Sequence, residues 1–196
     1  MSIASIKKSP RPVKVHVRLA IKADIPAVQK IYAHYVRSTT ASFEEEPPTV
    51  AEMTTRWQRI LDHKLPYLVA IKGKRVVGYA FACPFRERSG YRYTIEDSVY
   101  VNPDYLGRNV GNTLLSELIK YCTDVGFRQM IAVIGDSTNA ASLALHSRHG
   151  FFVVGALGST CFKFGRWVDA VLMQRTLGDG DTSSSPELPN SYEKAR

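Results

Sequence analysis

Cysteine is scarce in this sequence, and the cysteines that it contains are widely spaced. Cys83, Cys122 and Cys161 are the only three, which argues against a disulfide framework and predicts a reducing compartment, the cytoplasm. No CxxC pair occurs. The histidines at 146 and 149 have helical spacing but no further Cys or His ligand beside them. The sequence therefore predicts no metal centre.

Long apolar runs are absent as well. No segment approaches the ~20 consecutive apolar residues of a membrane-spanning helix, so we expect no membrane association. The N-terminal residues are basic but lack the continuous apolar core of a secretory signal. Hydrophobic residues make up 44% and charged residues 22% of the 196 residues. Both values are usual for a globular protein, and the length suits one domain rather than two.

The two ends of the chain differ in composition from its middle. Residues 1–13 are rich in proline and basic residues, and residues 178–196 are rich in Gly, Ser, Pro and acids. We predict that both are disordered tails that flank a domain over residues 14–177. The formal net charge of +8 is compatible with an anionic ligand such as a nucleotide cofactor, or with nucleic acid. Basic runs interleaved with aromatic residues are missing, which disfavours nucleic acid.

Apolar periodicity predicts an order of elements for the domain. Asp24 and Pro26 mark the start of a first helix, and KGKR between Ile71 and Val76 marks a hairpin turn. The full order is strand, two helices, three strands, helix, strand, helix and two strands. We expect an α/β or α+β fold with a mostly antiparallel sheet whose later strands are crossed by helices.

The most informative stretch runs from Tyr93 to Cys122, where a strand meets a glycine-containing loop that opens into a helix predicted from Asn112. In the loop, Gly107 and Gly111 permit close backbone approach, Asn109 tolerates left-handed backbone, and Arg108 adds positive charge. Amide groups at a helix N-terminus suit a phosphate or pyrophosphate. The alternative is an ordinary loop before a helix, because neither a P-loop nor GxGxxG is present.

Two further features carry possible chemistry. Glu96 and Asp97 lie on the strand before the loop, and alternation directs one of them to the ligand side. A carboxylate there could accept a proton from an ammonium group, whereas the alternative is a solvated acid. A second motif runs from Asp136 through Asn139, at a helix start, to His146. Its alternatives are simple helix capping and a partly buried histidine with a satisfied partner.

Taken together, these motifs resemble motifs A and B of the GNAT superfamily of N-acetyltransferases. The similarity is closer to the phosphinothricin acetyltransferase group, whose members include acyltransferases for methionine sulfoximine and similar amino acids. It covers roughly Val15 to Leu177. The matching segments are IYAHYV, TTASFEEEP, YRYTIEDSVYV, NAASLALHSRHGF and KFGRWVDAVLMQ.

The resemblance implies a mixed, twisted sheet of about seven strands with helices on both faces, splayed at the middle to admit acetyl-CoA. The pantetheine would run along the strand backbone like an added strand, and the pyrophosphate would bind the loop amides. The implied cofactor-binding residues are Val99, Tyr100, Val101, Gly107, Arg108, Asn109, Val110, Gly111, Asn112 and Asn139. The group usually has Gln or Arg where this chain has Leu106, and Gly where it has Asn109. We therefore expect weakened binding of CoA.

The resemblance also assigns roles in catalysis. Glu96 matches the carboxylate that acts as general base, and His146 lies where many members carry a tyrosine acid. The leaving thiolate would take a proton from His146, or from Tyr100 if that side chain turns inward. The acetyl group would pass directly to the amine, with the Val99 N–H stabilising the oxyanion. No cysteine nucleophile is needed.

The acceptor is expected to be a small amino acid or an analogue such as phosphinothricin, methionine sulfoximine or methionine sulfone. Guanidinium groups could hold its carboxylate, and aromatic rings could line its side-chain pocket. The expected acceptor residues are Phe43, Arg92, Tyr93, Lys163, Arg166 and Trp167. A homodimer is expected. The alternatives are an enzyme that acetylates a protein N-terminus or lysine, and a CoA-binding protein that has lost catalysis.

Overall fold

The computed structural model describes residues 10–183. The outer parts of both predicted tails, residues 1–9 and 184–196, lie outside the described residues. Close to the first boundary, the Val13 N–H donates to the Arg108 carbonyl at 3.1 Å. The chain that leads into the domain therefore lies beside the loop that precedes the third helix.

The described residues contain four α-helices and seven strands in the predicted order. The helices are α1 (Ile25–Ser38), α2 (Val50–Asp62), α3 (Val110–Asp124) and α4 (Ala140–Arg148). The strands are β1 (His16–Leu19), β2 (Tyr67–Lys72), β3 (Arg75–Pro84), β4 (Thr94–Val101), β5 (Gln129–Gly135), β6 (Phe152–Lys163) and β7 (Arg166–Thr176). Helix α3 begins two residues before the predicted Asn112.

The helix starts follow local chemistry, with one correction. Helix α2 begins after Thr49, whose hydroxyl accepts the Glu52 N–H while the Glu52 carboxylate accepts the Thr49 N–H. Helix α1 begins at Ile25, next to Asp24 as predicted, but Asp24 does not cap it through its side chain. Its carboxylate binds Arg18 at 2.7 and 2.9 Å instead, because a guanidinium is the stronger partner.

All seven strands form one sheet, in the order β1-β2-β3-β4-β5-β7-β6. The β4–β5 pair is parallel, and every other neighbouring pair is antiparallel. Strands β4 and β5 pair only from Thr94 opposite Gln129 to Asp97 opposite Ala132. Beyond these residues β4 continues to Val101 and β5 to Gly135, but the two strands no longer pair with each other. The expected splay at the middle of the sheet is thereby confirmed.

Helices cover both faces of the sheet, as expected. Tyr79 and Tyr100 lie opposite each other in register and face α1, with the Tyr100 ring centre 5.2 Å from that of Tyr32. Gly78, the neighbour of Tyr79 on β3, faces the other side of the sheet toward α3, where an added Cβ would lie 3.0 Å from the Leu114 side chain. The alternation along β3 and β4 therefore separates an α1–α2 face from an α3–α4 face.

Candidate active site

The split between β4 and β5 opens into a cleft of about 720 Å³, a size that suits a small molecule or part of a cofactor. Residues of α3 and α4 line it together with the two separated strands. A hydrogen bond of 2.9 Å between His149 Nε2 and Asn112 Oδ1 joins the two helices. The cleft is therefore bounded by elements that are tied to one another.

The β4 side of the cleft presents an open strand edge. The Asn102 N–H donates to the Val77 carbonyl, and the Phe85 N–H donates to the Thr94 carbonyl. Because backbone groups alternate along a strand, the N–H and C=O groups of the even-numbered β4 residues point toward β3. The N–H and C=O of Val99 consequently point toward β5, where the ladder has already ended. An extended chain such as a pantetheine can pair with this edge, and the Val99 N–H can donate to a carbonyl oxygen.

The loop before α3 has the geometry of an anion site. Gly107 and Asn109 both have φ of 70°, the left-handed conformation that glycine and asparagine tolerate. The first hydrogen bond of α3 runs from the Thr113 N–H to the Asn109 carbonyl. The amides of Val110, Gly111 and Asn112 are thus outside the pattern of the helix and can bind a diphosphate.

Nine of the ten expected cofactor-binding residues line the cleft. They are Val99, Tyr100, Val101, Gly107, Asn109, Val110, Gly111, Asn112 and Asn139. An added Cβ at Gly111 would meet Val101 at 3.4 Å and Leu145 at 3.5 Å, so glycine keeps this end of the cleft open. Arg108 is the exception, and its guanidinium lies 5.8 Å from the centre of the Tyr105 ring.

Asn139 both caps a helix and lines the cleft. Its Oδ1 accepts the Ser142 N–H at 3.2 Å and so caps α4. The residue also lines the cleft. Capping therefore holds the Asn139 side chain beside the position expected for the cofactor.

Glu96 lies half-buried on the α1–α2 face of β4, opposite Cys83 in register. Burial, together with the charge of the neighbouring Asp97, raises the pKa of Glu96 to about 7. A carboxylate with that pKa can both take up and release a proton near neutral pH. The position therefore suits the general base that the resemblance implies.

His146 is buried on α4 and lines the cleft. Its Nε2 lies 3.1 Å from Asp97 Oδ2, and its Nδ1 lies 2.8 Å from the Ser142 carbonyl. Burial alone would lower the pKa of His146, but the hydrogen bond and the charge of Asp97 outweigh burial and raise it. Sequence reasoning missed the role of Asp97, although alternation along β4 directs it away from Glu96 and toward α4.

Three expected acceptor residues gather where the α1–α2 loop crosses the end of β5. An added Cβ at Gly135 would lie 3.2 Å from the Phe43 ring, and Arg166 forms an ion pair with Asp136 just after β5. Lys163 is 2% exposed, and its ammonium donates to the carbonyls of residues 39 and 42 at 2.9 and 2.6 Å. The structure thus uses Lys163 to hold the loop, which leaves its ammonium closed to direct contact with an acceptor.

None of the six expected acceptor residues is among those that line the cleft, and the other three make contacts elsewhere. Arg92 donates to the Ser89 carbonyl at 3.1 Å, and its guanidinium lies 4.8 Å from the centre of the Tyr93 ring. Both precede β4, at the end of the strand away from Val99. Trp167 is 63% exposed and packs edge-on against Phe162.

A second pocket of about 330 Å³ lies between the sheet, α1 and α2. Aromatic residues form its walls, Arg56 and Arg59 lie at α2, and Ser98 and Tyr100 line both this pocket and the cleft. Arg56 forms a two-pronged ion pair with Glu44 at 2.6 and 3.1 Å. The helical periodicity of α1 and α2 does not reveal this pocket, because a pocket wall and a core face have the same apolar pattern.

Neither a metal site nor a membrane span is found in the part of the chain that is described. In residues 10–183, His, Cys, Asp and Glu side chains do not gather in groups of three or more that could hold a metal ion. The helices of these residues are too short or too polar to cross a bilayer.

Comparison with known proteins places this geometry in a family. The model of the Acetyltransferase (GNAT) family matches residues 28–151. The phosphinothricin N-acetyltransferase of Alcaligenes faecalis is 54% identical over 167 residues, which cover 85% of this chain and 85% of that protein. The L-methionine sulfoximine/L-methionine sulfone acetyltransferase of Salmonella typhimurium is 37% identical over 163 residues, which cover 83% of this chain and 95% of that protein.

A solved structure agrees with these relatives. The phosphinothricin acetyltransferase of Sinorhizobium meliloti, crystallised in complex with AcCoA, superimposes with a TM-score of 0.86 and 43% identity, covering 89% of this chain and 94% of that one. The fold and the family expected from the sequence are confirmed. This chain belongs to the GNAT family of acetyltransferases.

Proposed function

We propose that this protein transfers the acetyl group of acetyl-CoA directly to the amine of a small amino acid or amino-acid analogue of the phosphinothricin or methionine sulfoximine type. The names of the relatives support the substrate class. The observation that carries the chemistry is the split in the sheet, which places the open edge at Val99 within two to three residues of Glu96 and Asp97.

Binding of acetyl-CoA as cosubstrate is supported by the two parts of the cleft. The amides of Val110, Gly111 and Asn112, with the positive end of the α3 dipole, bind the pyrophosphate. The edge at Val99 pairs with the pantetheine and brings the thioester toward the α1–α2 face. Leu106 is 52% exposed and offers the phosphates no polar contact, which supports weaker binding than a Gln or Arg would give.

In the proposed reaction, Glu96 accepts a proton from the acceptor ammonium, directly or through a water molecule, and the neutral nitrogen forms the new C–N bond. The Val99 N–H donates to the thioester oxygen as negative charge develops on it. As the C–S bond breaks, the Nε2–H of His146 turns from Asp97 to the leaving sulfur and gives it the proton. Solvent then restores both protonation states. The cysteines take no part.

The acceptor is proposed to bind on the α1–α2 face, beside Phe43 and Arg166. Lys163 supports this site indirectly, because it holds the loop that carries Phe43. For Arg92, Tyr93 and Trp167 the acceptor role stays a prediction, since an acceptor in the cleft reaches them only through movement of the loop before β4 or through a second copy of the chain.

A homodimer is proposed from the outer strands. Strand β6 is an edge of the sheet, and long unprotected apolar edges are unusual in monomers. The exposed large apolar residues of β6, β7 and their turn are Phe152, Val153, Val154, Leu157, Phe162, Phe164 and Trp167. The free thiols support a reducing location, the cytoplasm.

The test is release of CoA thiol from acetyl-CoA with a panel of amines. The panel contains phosphinothricin, methionine sulfoximine, methionine sulfone, free amino acids, spermidine and a peptide with a free N-terminus. Turnover with the amino-acid analogues that is lost in Glu96→Gln, but kept in the matched surface variant Glu117→Gln on α3, supports the proposal. Turnover confined to the peptide would assign the protein-acetylating alternative, and acetyl-CoA binding without turnover would contradict catalysis.

A further inference from the structure

Asp97 occupies a special place relative to the proposed base. It follows Glu96 on β4, and its side chain is 0% exposed on the opposite, α4-facing side of the strand. Its Oδ2 contacts His146, and its Oδ1 has no hydrogen-bond partner within residues 10–183. A buried carboxylate with one partner relies on that partner to offset the cost of its burial.

The contacts of His146 fix how many protons the pair holds. The Ser142 carbonyl, 2.8 Å from Nδ1, can only accept, so Nδ1 carries a hydrogen. Nε2 faces the Asp97 carboxylate at 3.1 Å, and this contact needs one further proton, on either the nitrogen or the oxygen. Asp97 and His146 therefore share one proton, and the pair has no net charge as a unit, but its negative end, the Asp97 carboxylate, is the end next to Glu96.

We propose that Asp97 is a positioning residue for the reaction: its pairing with His146 controls how readily Glu96, on the opposite face of the same strand, takes up and releases a proton. The inference rests on the proposed function, in which Glu96 is the base. It adds a residue to the machinery, because the proton shared with His146 offsets part of the negative charge that Asp97 places beside Glu96.

The thiols around this unit stay protonated near neutral pH, and the pKa of the nearby His149 is lowered. Burial raises the pKa of Cys83, which faces Glu96 from β3, to about 12, and raises that of Cys122 on α3 further. Burial and the charge of Arg175 on β7 lower the pKa of His149 on α4. Asp97 is therefore the charge that acts most directly on Glu96, and His146 is the partner that modulates it.

The proposal predicts opposite effects from the two partners. Asp97→Asn removes the nearest negative charge, so Glu96 should release its proton at lower pH. His146→Gln leaves the Asp97 carboxylate without a counter-charge, so Glu96 should release its proton at higher pH. A merely structural role would weaken the site in both variants without moving the titration of Glu96 in opposite directions.

The test is a carbon-13 NMR titration of the Glu96 carboxyl in the full chain labelled at glutamate, assigned by the signal that disappears in Glu96→Gln. We expect shifts of about half a pH unit to one pH unit, downward in Asp97→Asn and upward in His146→Gln. The surface variant Asp62→Asn, with the same change in net charge, should leave the titration unchanged. Asp97→Ser, which is also uncharged, repeats the test if Asp97→Asn does not fold.

A Glu96 titration that stays in place, or that moves in the same direction in both variants, would overturn the proposal. The measurement needs neither acetyl-CoA nor an acceptor, so it stands even if the amine panel finds no substrate. Where a substrate is found, the acid limb of the profile of kcat/KM against pH should move in the same two directions.

Discussion

Replacing Glu96 by Gln should lower activity and raise stability at the same time. A general base contributes about 10² to 10⁴ in rate. The acceptor needs this base, because the ammonium of a free amino acid lies beside a carboxylate and has a pKa above the ~8 of a peptide N-terminus. We expect kcat/KM with phosphinothricin to fall at least about 100-fold at pH 7. The deficit should shrink as pH rises, because a growing fraction of the acceptor then arrives deprotonated.

The effect on stability follows from the pKa of Glu96, which rises from 4.5 to about 7 on folding. A pKa difference of about 2.5 corresponds to a loss of about 3 kcal/mol in the free energy of unfolding. Water reaches the half-buried carboxylate, so we expect a loss of only about 1 to 2 kcal/mol. Below pH 4.5 both the folded and the unfolded chain carry the proton, so there is no penalty. As pH rises to 7, only the unfolded chain releases the proton readily, so the folded state of the wild type loses stability.

The assay is urea unfolding of wild type and Glu96→Gln at pH 5 and pH 8. The free energy of unfolding of the variant should exceed that of wild type by about 1 to 2 kcal/mol at pH 8, and the gap should be much smaller at pH 5. Glu117→Gln should show no such gap. An equal gap at both pH values, or unchanged kcat/KM in Glu96→Gln, would refute the assignment of Glu96 as a buried base.

Three further predictions concern the loop, the cofactor site and the outer strands. An added Cβ at Gly135 would lie 2.2 Å from the Thr40 carbonyl oxygen, so Gly135→Ala should displace the loop and raise the acceptor KM about tenfold in steady-state kinetics. The Kd of acetyl-CoA, measured by calorimetry, should stay within about twofold of wild type. An unchanged acceptor KM would contradict this prediction. Asn109 has φ of 70°, so Asn109→Val should cost about 1 to 2 kcal/mol of stability and raise the Kd of acetyl-CoA, whereas Asn109→Gly should do neither. Trp167→Glu should convert a dimer to a monomer in analytical ultracentrifugation, and a sedimentation profile that matches wild type would remove β7 from the interface.

The sequence was informative wherever function depends on neighbours along the chain. The strand, loop and helix from β4 to α3 are contiguous, so the loop amides and the left-handed Asn109 could be anticipated from residue types alone. The order of elements followed from apolar periodicity. The splay between β4 and β5 could be expected only from the resemblance, because no residue type marks the point where two strands stop pairing.

Roles that depend on distant contacts escaped sequence reasoning. Lys163 was expected near the acceptor, yet its ammonium binds carbonyls more than 120 positions earlier in the chain. The same applies to Asp97, whose partner His146 is 49 positions away. The resemblance places Arg92, on the strand before Glu96, toward the acceptor, but its guanidinium turns to the Ser89 carbonyl and the Tyr93 ring. Sequence position does not specify side-chain direction in a turn.

Direct acetyl transfer is tested most plainly by mixing the protein with acetyl-CoA and phosphinothricin and measuring both products by mass spectrometry. We expect free CoA and N-acetylphosphinothricin in equal amounts, with no acetyl group left on the protein. Thiol release without the N-acetyl product, or an acetylated cysteine on the reaction path, would contradict direct transfer.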